Sequence, residues 1–270
     1  MRPTEDLDDL IQVASHGAVC ELVLNRPPVN ALNSAMYEAM STRFDFVGRS
    51  EFRVLVISAN GEKAFSAGAD LKEIHMPNTE LETFTRINHV TNELEALPQI
   101  TIAAIEEAIL GGGLELALAC DLRVASSHAT FAFPEVGLGD FPGTGGTLRL
   151  PWLIGEARAR ELLLTGERIS ARRACAIGLI SRVTARGQAR NDAVAWASKL
   201  AEMPVSGVRA IKQSVTRNRT LDAASGASAD AKLSSIVNAS SDAVEGRRRF
   251  ANRGMGIPAP SVDYRGHSTP

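Results

Sequence analysis

The chain has 270 residues, of which 44% are hydrophobic and 22% charged, and its formal net charge is −2. This composition is typical of a globular protein with a large core. The balanced charge does not favour nucleic acid as a partner, and no apolar run is long enough to span a bilayer. The acidic N-terminus, MRPTEDLDDL, lacks the basic and apolar regions of a signal peptide. Cys20, Cys120 and Cys175 lie among apolar neighbours without metal-ligand spacing, so we expect buried free thiols and a cytoplasmic location.

In the first 200 residues, predicted strands alternate with predicted helices, which indicates an α/β architecture with largely parallel strands. The predicted elements are a loose arm over 1–9, a hairpin of 10–13 and 18–24, a helix from about Ser34, a strand over 54–57, a helix capped by Thr79 and ended by Pro98, and a strand over 100–105. A helix over 114–120, strands over 122–125 and 130–133, helices over 156–164 and 169–177, and a helix ending near Met203 follow.

The character of the chain changes after Pro204, where it becomes polar, helical in pattern and poor in strand formers. The final helix is predicted over 242–252 with Ser240 or Ser241 as its cap, and residues 254–270 are predicted to be a tail. We therefore expect a core domain over 1–200 and a helical C-terminal lobe with a tail over 201–270. The thin apolar face of the lobe suggests packing on the core or on a neighbouring subunit.

The segment from Ile109 to Gly146 is the strongest candidate for a site. Three glycines, Gly111 to Gly113, open an apolar helix whose only charge is Glu115. The N–H groups of such a helix start suit developing negative charge. Glu115 has a structural interpretation as an acidic residue in a first turn, and Glu135 as an exposed loop residue. Together beside a glycine loop, the two carboxylates become candidates for acid/base chemistry.

The segment Ala67 to Asp70 is either a tight turn or a source of one N–H donor that pairs with Gly112 in an oxyanion hole. Ser66 lacks the first glycine of the G-x-S-x-G elbow, and no histidine is placed as its base, so a serine hydrolase is disfavoured. The glycines from Gly143 to Gly146 lack the Walker lysine, which favours close backbone packing over a phosphate loop. The histidines show no metal-ligand spacing, so no metal site is expected.

Several motifs in this order resemble the crotonase superfamily, and within it the enoyl-CoA hydratases. The resemblance covers about residues 19–253. Its motifs are Asn25-Arg26-Pro27, Asn30-Ala31-Leu32-Asn33, Ala64 to Lys72, Gly111 to Glu115, Pro134 to Gly139, Pro142 to Thr147, and Gly178-Leu179-Ile180.

The resemblance implies an α/β fold, a crotonase-like spiral of ββα repeats with a helical C-terminal lobe, assembled as a homotrimer or a dimer of trimers. It also implies an acyl-CoA substrate with no cofactor beyond the CoA moiety. The N–H groups of Ala69 and Gly112 would hold the thioester oxygen. The catalytic acids would be Glu115 and Glu135, and the CoA path would be lined by Ala67, Asp70, Leu71 and Lys72.

Hydration of a 2-enoyl-CoA is the activity that this resemblance favours, with Glu115 as base and Glu135 as acid. The alternatives are double-bond isomerisation, dehydration or thioester hydrolysis on the same scaffold, and a non-catalytic CoA-binding protein. Two departures from the family pattern bear on the substrate. Glu106-Glu107 replaces a frequent Asn-Gly, and either faces solvent or alters the acyl pocket; Arg253-Gly254-Met255 replaces a lysine-rich end that often meets the CoA phosphate.

Overall fold

A computed structural model describes residues 7–74 and 81–252 of the chain. The predicted helix cap Thr79, the segment Arg253-Gly254-Met255 and the tail over 254–270 lie outside these residues. The chain forms two compact units, Met1–Ala201 and Glu202–Pro270.

The first unit combines short strands and helices in alternation. Its strands are β1 (Ile11–His16), β2 (Val19–Leu24), β3 (Val54–Ala59), β4 (Ala64–Ser66), β5 (Ile100–Ile105), β6 (Ala108–Leu110), β7 (Leu122–Ser126), β8 (Thr130–Ala132), β9 (Ile169–Ser170) and β10 (Arg182–Thr184). Its helices are α1 (Leu7–Leu10), α2 (Ser34–Gly48), α3 (Leu71–Ile74), α4 (Leu81–Ala96), α5 (Gly112–Leu118), α6 (Gly146–Ile154), α7 (Glu156–Thr165), α8 (Ala171–Ala176) and α9 (Ala189–Ala201), with a 3-10 helix at Pro134–Leu138.

Two sheets share these strands. The larger has the order β1-β2-β3-β5-β7-β10, and the smaller has the order β4-β6-β8-β9. Pairing is parallel except between β1 and β2 and between β8 and β9. From β3 to β8 the chain alternates between the sheets, so each repeat gives one strand to each. This alternation confirms the predicted spiral of ββα repeats and the largely parallel pairing.

The large sheet is covered on both faces, which explains why every residue of β2, including Glu21, and all residues of β3 before Ala59 are buried. On one face the main core extends under α2, where Met36, Met40 and Phe44 are buried as their four-residue spacing predicts. On the other face α9 packs through Ala193 and Ala197, whose small side chains allow close approach to the sheet.

Three local predictions are wrong. The helix expected over 169–177 begins later, because Ile169 and Ser170 pair with β8 and the Ser170 hydroxyl then caps α8. Part of the expected loose arm forms α1 over Leu7–Leu10. The thiols of Cys20 and Cys120 are buried, but that of Cys175 is only partly buried; all three are free.

The second unit is helical in its described part, with α10 (Val205–Asn218), α11 (Ala223–Asn238) and α12 (Ser241–Asn252). The Ser240 hydroxyl accepts a hydrogen bond from the N–H of Ala243 at 3.2 Å, which caps α12 as predicted. Across residues 7–74 and 81–252, no helix has the length and apolar character needed to cross a membrane.

Candidate active site

The small sheet collects the candidate residues at one edge. Strands β4, β6 and β8 run parallel and adjacent, so their carboxyl ends meet. The chain leaves β4 into the loop that holds Ala69, leaves β6 into Gly111 and Gly112, and leaves β8 toward Glu135. Ligands of open parallel sheets commonly bind at this edge. Three segments distant in sequence therefore converge because of strand order.

Two main-chain N–H groups point away from their own secondary structure at this edge. Leu32 donates its N–H to the Gly68 carbonyl at 2.8 Å and accepts from the N–H of Asp70 at 2.9 Å, so the intervening Ala69 N–H takes no part in that pairing. Gly112 begins α5, where the N–H has no intrahelical acceptor. Neither N–H has a hydrogen-bond acceptor within residues 7–74 and 81–252.

Glycine is required where these segments touch. Gly68 has φ +88°, and a Cβ there would lie 2.9 Å from the Leu110 carbonyl oxygen and 3.1 Å from the Gly112 nitrogen. Gly111 has φ +49°, and its Cβ would lie 2.6 Å from Oε1 of Glu135. The glycines therefore allow the Ala69 loop and the second carboxylate to approach the start of α5.

Glu115 is 2% exposed and projects from the first turn of α5. Its Oε1 accepts hydrogen bonds from the N–H groups of Thr144, at 2.8 Å, and Gly146, at 2.7 Å, while its Oε2 accepts one from the Thr144 hydroxyl. Burial raises the pKa of Glu115, and these hydrogen bonds and the charge of Arg149 oppose the rise. The carboxylate is thus buried, oriented and supplied with donors.

Glu135 lies in the 3-10 helix after β8, with its carboxylate against Gly111. Its Oε2 is buried and has no hydrogen-bond partner among the residues that the structure describes. Burial raises the pKa of Glu135 to about 7, and the negative charges of Glu115 and Asp140 also raise it. A carboxyl with such a pKa exists in both protonation states near neutrality, which suits proton transfer.

Both carboxylates lie near the start of α5 and beside the Ala69 loop. Glu135 lies against Gly111, Oε2 of Glu115 lies 3.8 Å from a Cβ built on Gly112, and the Ala69 nitrogen lies 3.5 Å from that same point. These groups border a cavity of about 140 Å³. Its lining also includes apolar side chains, among them Leu71, Phe84, Ile87, Leu138 and Phe141.

The residues predicted to line the CoA path separate into two pairs. Ala67 and Leu71 line the cavity, but Asp70 and Lys72 are not among its lining residues. Asp70 pairs with Arg26 at 2.9 Å, and its Oδ1 accepts from the N–H of Lys72 at 3.1 Å. Asp70 therefore ties the loop to the Asn25-Arg26-Pro27 motif, and the CoA role of both residues stays a prediction.

The Ser66 hydroxyl forms two hydrogen bonds with the backbone. This buried hydroxyl donates to the Asn30 carbonyl at 2.7 Å and accepts from the Gly68 N–H at 3.1 Å. Among the residues that the structure describes, no three His, Cys, Asp or Glu side chains are grouped as metal ligands.

Glu106 and Glu107 contact residues in and just before the start of α9. Glu106 accepts hydrogen bonds from the N–H of Gly187 and from that of Ala189, the latter at 3.0 Å. Glu107 lies 3.7 Å from a guanidinium nitrogen of Arg186. Neither glutamate lines the cavity. Glu106 stabilises the start of α9, where negative charge is favourable.

Sequence reasoning missed Thr144 and Arg149, which support Glu115. Buried Arg149 bonds Glu95 at 2.9 Å and Asn92 at 2.7 Å, and its guanidinium occupies the space that a Cβ on Gly145 would need. The glycines from Gly143 to Gly146 allow close packing, as the sequence predicts. Thr144, the one hydroxyl-bearing residue among them, is the feature of the sequence that could have indicated a partner for Glu115.

Comparison with known proteins supplies independent information. A profile described as enoyl-CoA hydratase/isomerase matches residues 14–256. The short-chain-enoyl-CoA hydratase of Clostridium acetobutylicum is 38% identical over 221 residues, covering 80% of this chain and 84% of that protein. The human mitochondrial enoyl-CoA hydratase domain-containing protein 2 is 37% identical over 244 residues, covering 87% and 83%. The crystal structure of enoyl-CoA hydratase from Bacillus anthracis superposes with a TM-score of 0.86 at 36% identity, covering 90% of this chain and 96% of that one.

Proposed function

Because the chain belongs to the enoyl-CoA hydratase/isomerase family, we propose that it is an enoyl-CoA hydratase that adds water across the 2,3 double bond of an enoyl-CoA thioester. The observation that supports this proposal is the convergence of Glu115 and Glu135 beside the free N–H groups of Ala69 and Gly112. Each group has a distinct task in the reaction.

The N–H groups of Ala69 and Gly112 hold the thioester oxygen. When water attacks C3, electrons move toward that oxygen, and an enolate-like charge develops there. Fixed N–H donors stabilise such charge without reorganising, and loss of one donor typically costs roughly 2.7–4 kcal/mol.

Glu115 is the base that takes a proton from the attacking water. Three donors hold it in one orientation, two on Oε1 and one on Oε2. Each carboxylate oxygen accepts about two hydrogen bonds, which leaves Oε2 with capacity for one more. The water donates a hydrogen bond to this unused acceptor position on Oε2, the oxygen closer to Gly112.

Glu135 is the acid that protonates C2. Its pKa of about 7 keeps a substantial fraction protonated at neutral pH. The water hydroxyl bonds to C3, its other proton goes to Glu115, and the Glu135 proton goes to C2. The two carboxyls have then exchanged protonation states, and proton exchange with solvent restores them after product release.

Two carboxylates beside one water favour hydration over isomerisation, because moving a double bond needs one acid/base group alone. Residues Ala67 to Lys72 are proposed to follow the CoA, with no further cofactor. The homotrimer or dimer of trimers and the cytoplasmic location stay predictions.

The test is incubation of the wild-type protein with crotonyl-CoA and with a 3-enoyl-CoA of matched length. We expect loss of the enoyl-thioester absorbance and formation of the 3-hydroxyacyl-CoA from crotonyl-CoA. Production of 2-enoyl-CoA from the 3-enoyl isomer, with no hydration of 2-enoyl-CoAs of any chain length, would instead identify an isomerase. Binding of CoA thioesters without turnover of either substrate would exclude both reactions.

A further inference from the structure

Tyr37 brings a hydroxyl group to the candidate active site, although its position in the helical pattern predicts only a core residue. The residue lies in the first turn of α2 and is 4% exposed. The pairing of Leu32 with the Ala69 loop places this end of the helix beside the site. Tyr37 lines the same cavity as Glu115 and Glu135.

Three polar atoms surround one point beside Gly112. A Cβ built on Gly112 would lie 3.5 Å from the Tyr37 hydroxyl oxygen, 3.5 Å from the Ala69 nitrogen and 3.8 Å from Oε2 of Glu115. The hydroxyl therefore lies in the same part of the cavity as Oε2 of Glu115 and the Ala69 N–H.

The Tyr37 hydroxyl has no hydrogen bond to any residue that the structure describes. Because Tyr37 lines the cavity, this hydroxyl can donate to and accept from a molecule bound there, whereas phenylalanine would fill the same space without a polar group. Burial raises the pKa of Tyr37, and the negative charge of Glu115 raises it further. The group therefore stays neutral and takes part in hydrogen bonding rather than in proton transfer.

The hydrogen bonds of Glu115 indicate where a water would bind relative to the Tyr37 hydroxyl. Oε1 is occupied by the N–H groups of Thr144 and Gly146, and Oε2 by the Thr144 hydroxyl, so one acceptor position remains on Oε2. Oε2 and the Tyr37 hydroxyl oxygen lie 3.8 Å and 3.5 Å from the same point, a Cβ built on Gly112, and both residues line the cavity. A water bound to Oε2 would therefore lie in the part of the cavity that the tyrosine hydroxyl also borders.

We propose that the Tyr37 hydroxyl forms a hydrogen bond with the water that Glu115 activates, and so holds the water oxygen toward C3 of the substrate. This inference rests on the proposed hydratase function. An additional fixed contact restricts the orientation of the water, and orientation contributes directly to rate.

The test is the Tyr37→Phe variant, which keeps the ring and removes the oxygen. A hydrogen bond contributes about 0.5–1.5 kcal/mol, so we expect kcat for crotonyl-CoA hydration to fall roughly 2- to 13-fold. The KM should stay within about twofold, since the hydroxyl meets water and not the thioester. Met36→Leu is the matched control, because Met36 is a buried neighbour that does not line the cavity.

A second readout separates water binding from a contact to the thioester oxygen. Exchange of the C2 hydrogens of butyryl-CoA in D2O uses the amides and an acid/base glutamate but no attacking water. We expect Tyr37→Phe to retain the wild-type exchange rate. An unchanged hydration kcat, or an equal fall in hydration and exchange, would overturn the proposal. A wild-type protein that hydrates no enoyl-CoA would overturn the hydratase assignment itself, and the tyrosine role with it.

Discussion

Thr144 holds both oxygens of the Glu115 carboxylate: its N–H donates to Oε1 at 2.8 Å, and its hydroxyl donates to Oε2. Hydrogen bonds to an ionised carboxylate favour the charged form. They oppose the burial that raises the pKa of Glu115. Thr144 therefore favours the ionised form of a nearly inaccessible glutamate, which the proposed role of Glu115 as a base requires.

Replacing Thr144 with valine removes the hydroxyl donor and keeps the branched shape. We expect the pKa of Glu115 to rise further, so the acid limb of the kcat/KM profile should move to higher pH, by about one unit for each 1.4 kcal/mol of lost stabilisation. Measurement of kcat/KM across the pH range checks this. The control is Thr147→Val, on the exposed surface of α6; equal profiles for both variants would contradict the role of Thr144.

Asp140→Asn tests the charge that acts on Glu135. The negative charge of Asp140 raises the pKa of Glu135, and an acid becomes ineffective as pH rises through its pKa. Removing that charge should lower this pKa and shift the alkaline limb of kcat/KM to lower pH. Glu107→Gln also removes a carboxylate but lies outside the cavity, and it should leave the limb in place. A shift to higher pH in Asp140→Asn would refute the electrostatic account.

Gly111→Ala should displace Glu135. The added Cβ would lie 2.6 Å from Oε1 of Glu135, at a residue with φ +49°. We expect a large fall in kcat together with a loss of stability. Gly17→Ala separates the two effects, because Gly17 has φ +65° and a Cβ built there has no atom of the described residues within 4 Å. It should lower the Tm while kcat is retained; a similar kcat in both variants would show that Gly111 does not position Glu135.

Glu135→Gln should make stability less dependent on pH. The pKa of Glu135 is about 7 in the folded chain against 4.5 for the free group. Folding therefore favours the protonated form, and its contribution is full below the unfolded pKa and is lost as pH rises through about 7. Between pH 5 and pH 8, the Tm of the wild type should fall more than that of Glu135→Gln. Parallel Tm changes in the two proteins would contradict this pKa.

The sequence predicts the long elements well because their apolar periodicity is strong. The helix beginning at Ser34 and the strand over 100–105 appear as expected, the strand without any change of bounds. The short strands Ala64–Ser66 and Ala108–Leu110 were missed, since three residues carry too little periodicity to be distinguished from a loop. Yet these two strands bring Ala69 to Gly112.

The candidate site was predicted in part for a similar reason. Glu115 and Glu135 were identifiable as carboxylates in apolar or glycine-rich surroundings. Tyr37 and Arg149 were not, because their roles depend on packing between segments that local patterns do not relate. The role of Glu106 at the start of α9 likewise follows from a contact between residues 81 positions apart or more.

The most direct test of the central claim is the rate of crotonyl-CoA hydration by the wild type, Glu115→Gln and Glu135→Gln. Glutamine keeps the shape of each side chain but cannot accept or donate the proton in the reaction. The account predicts measurable hydration by the wild type and a fall of about 10²–10⁴-fold in kcat in each variant. Full hydration rates in both variants would contradict it.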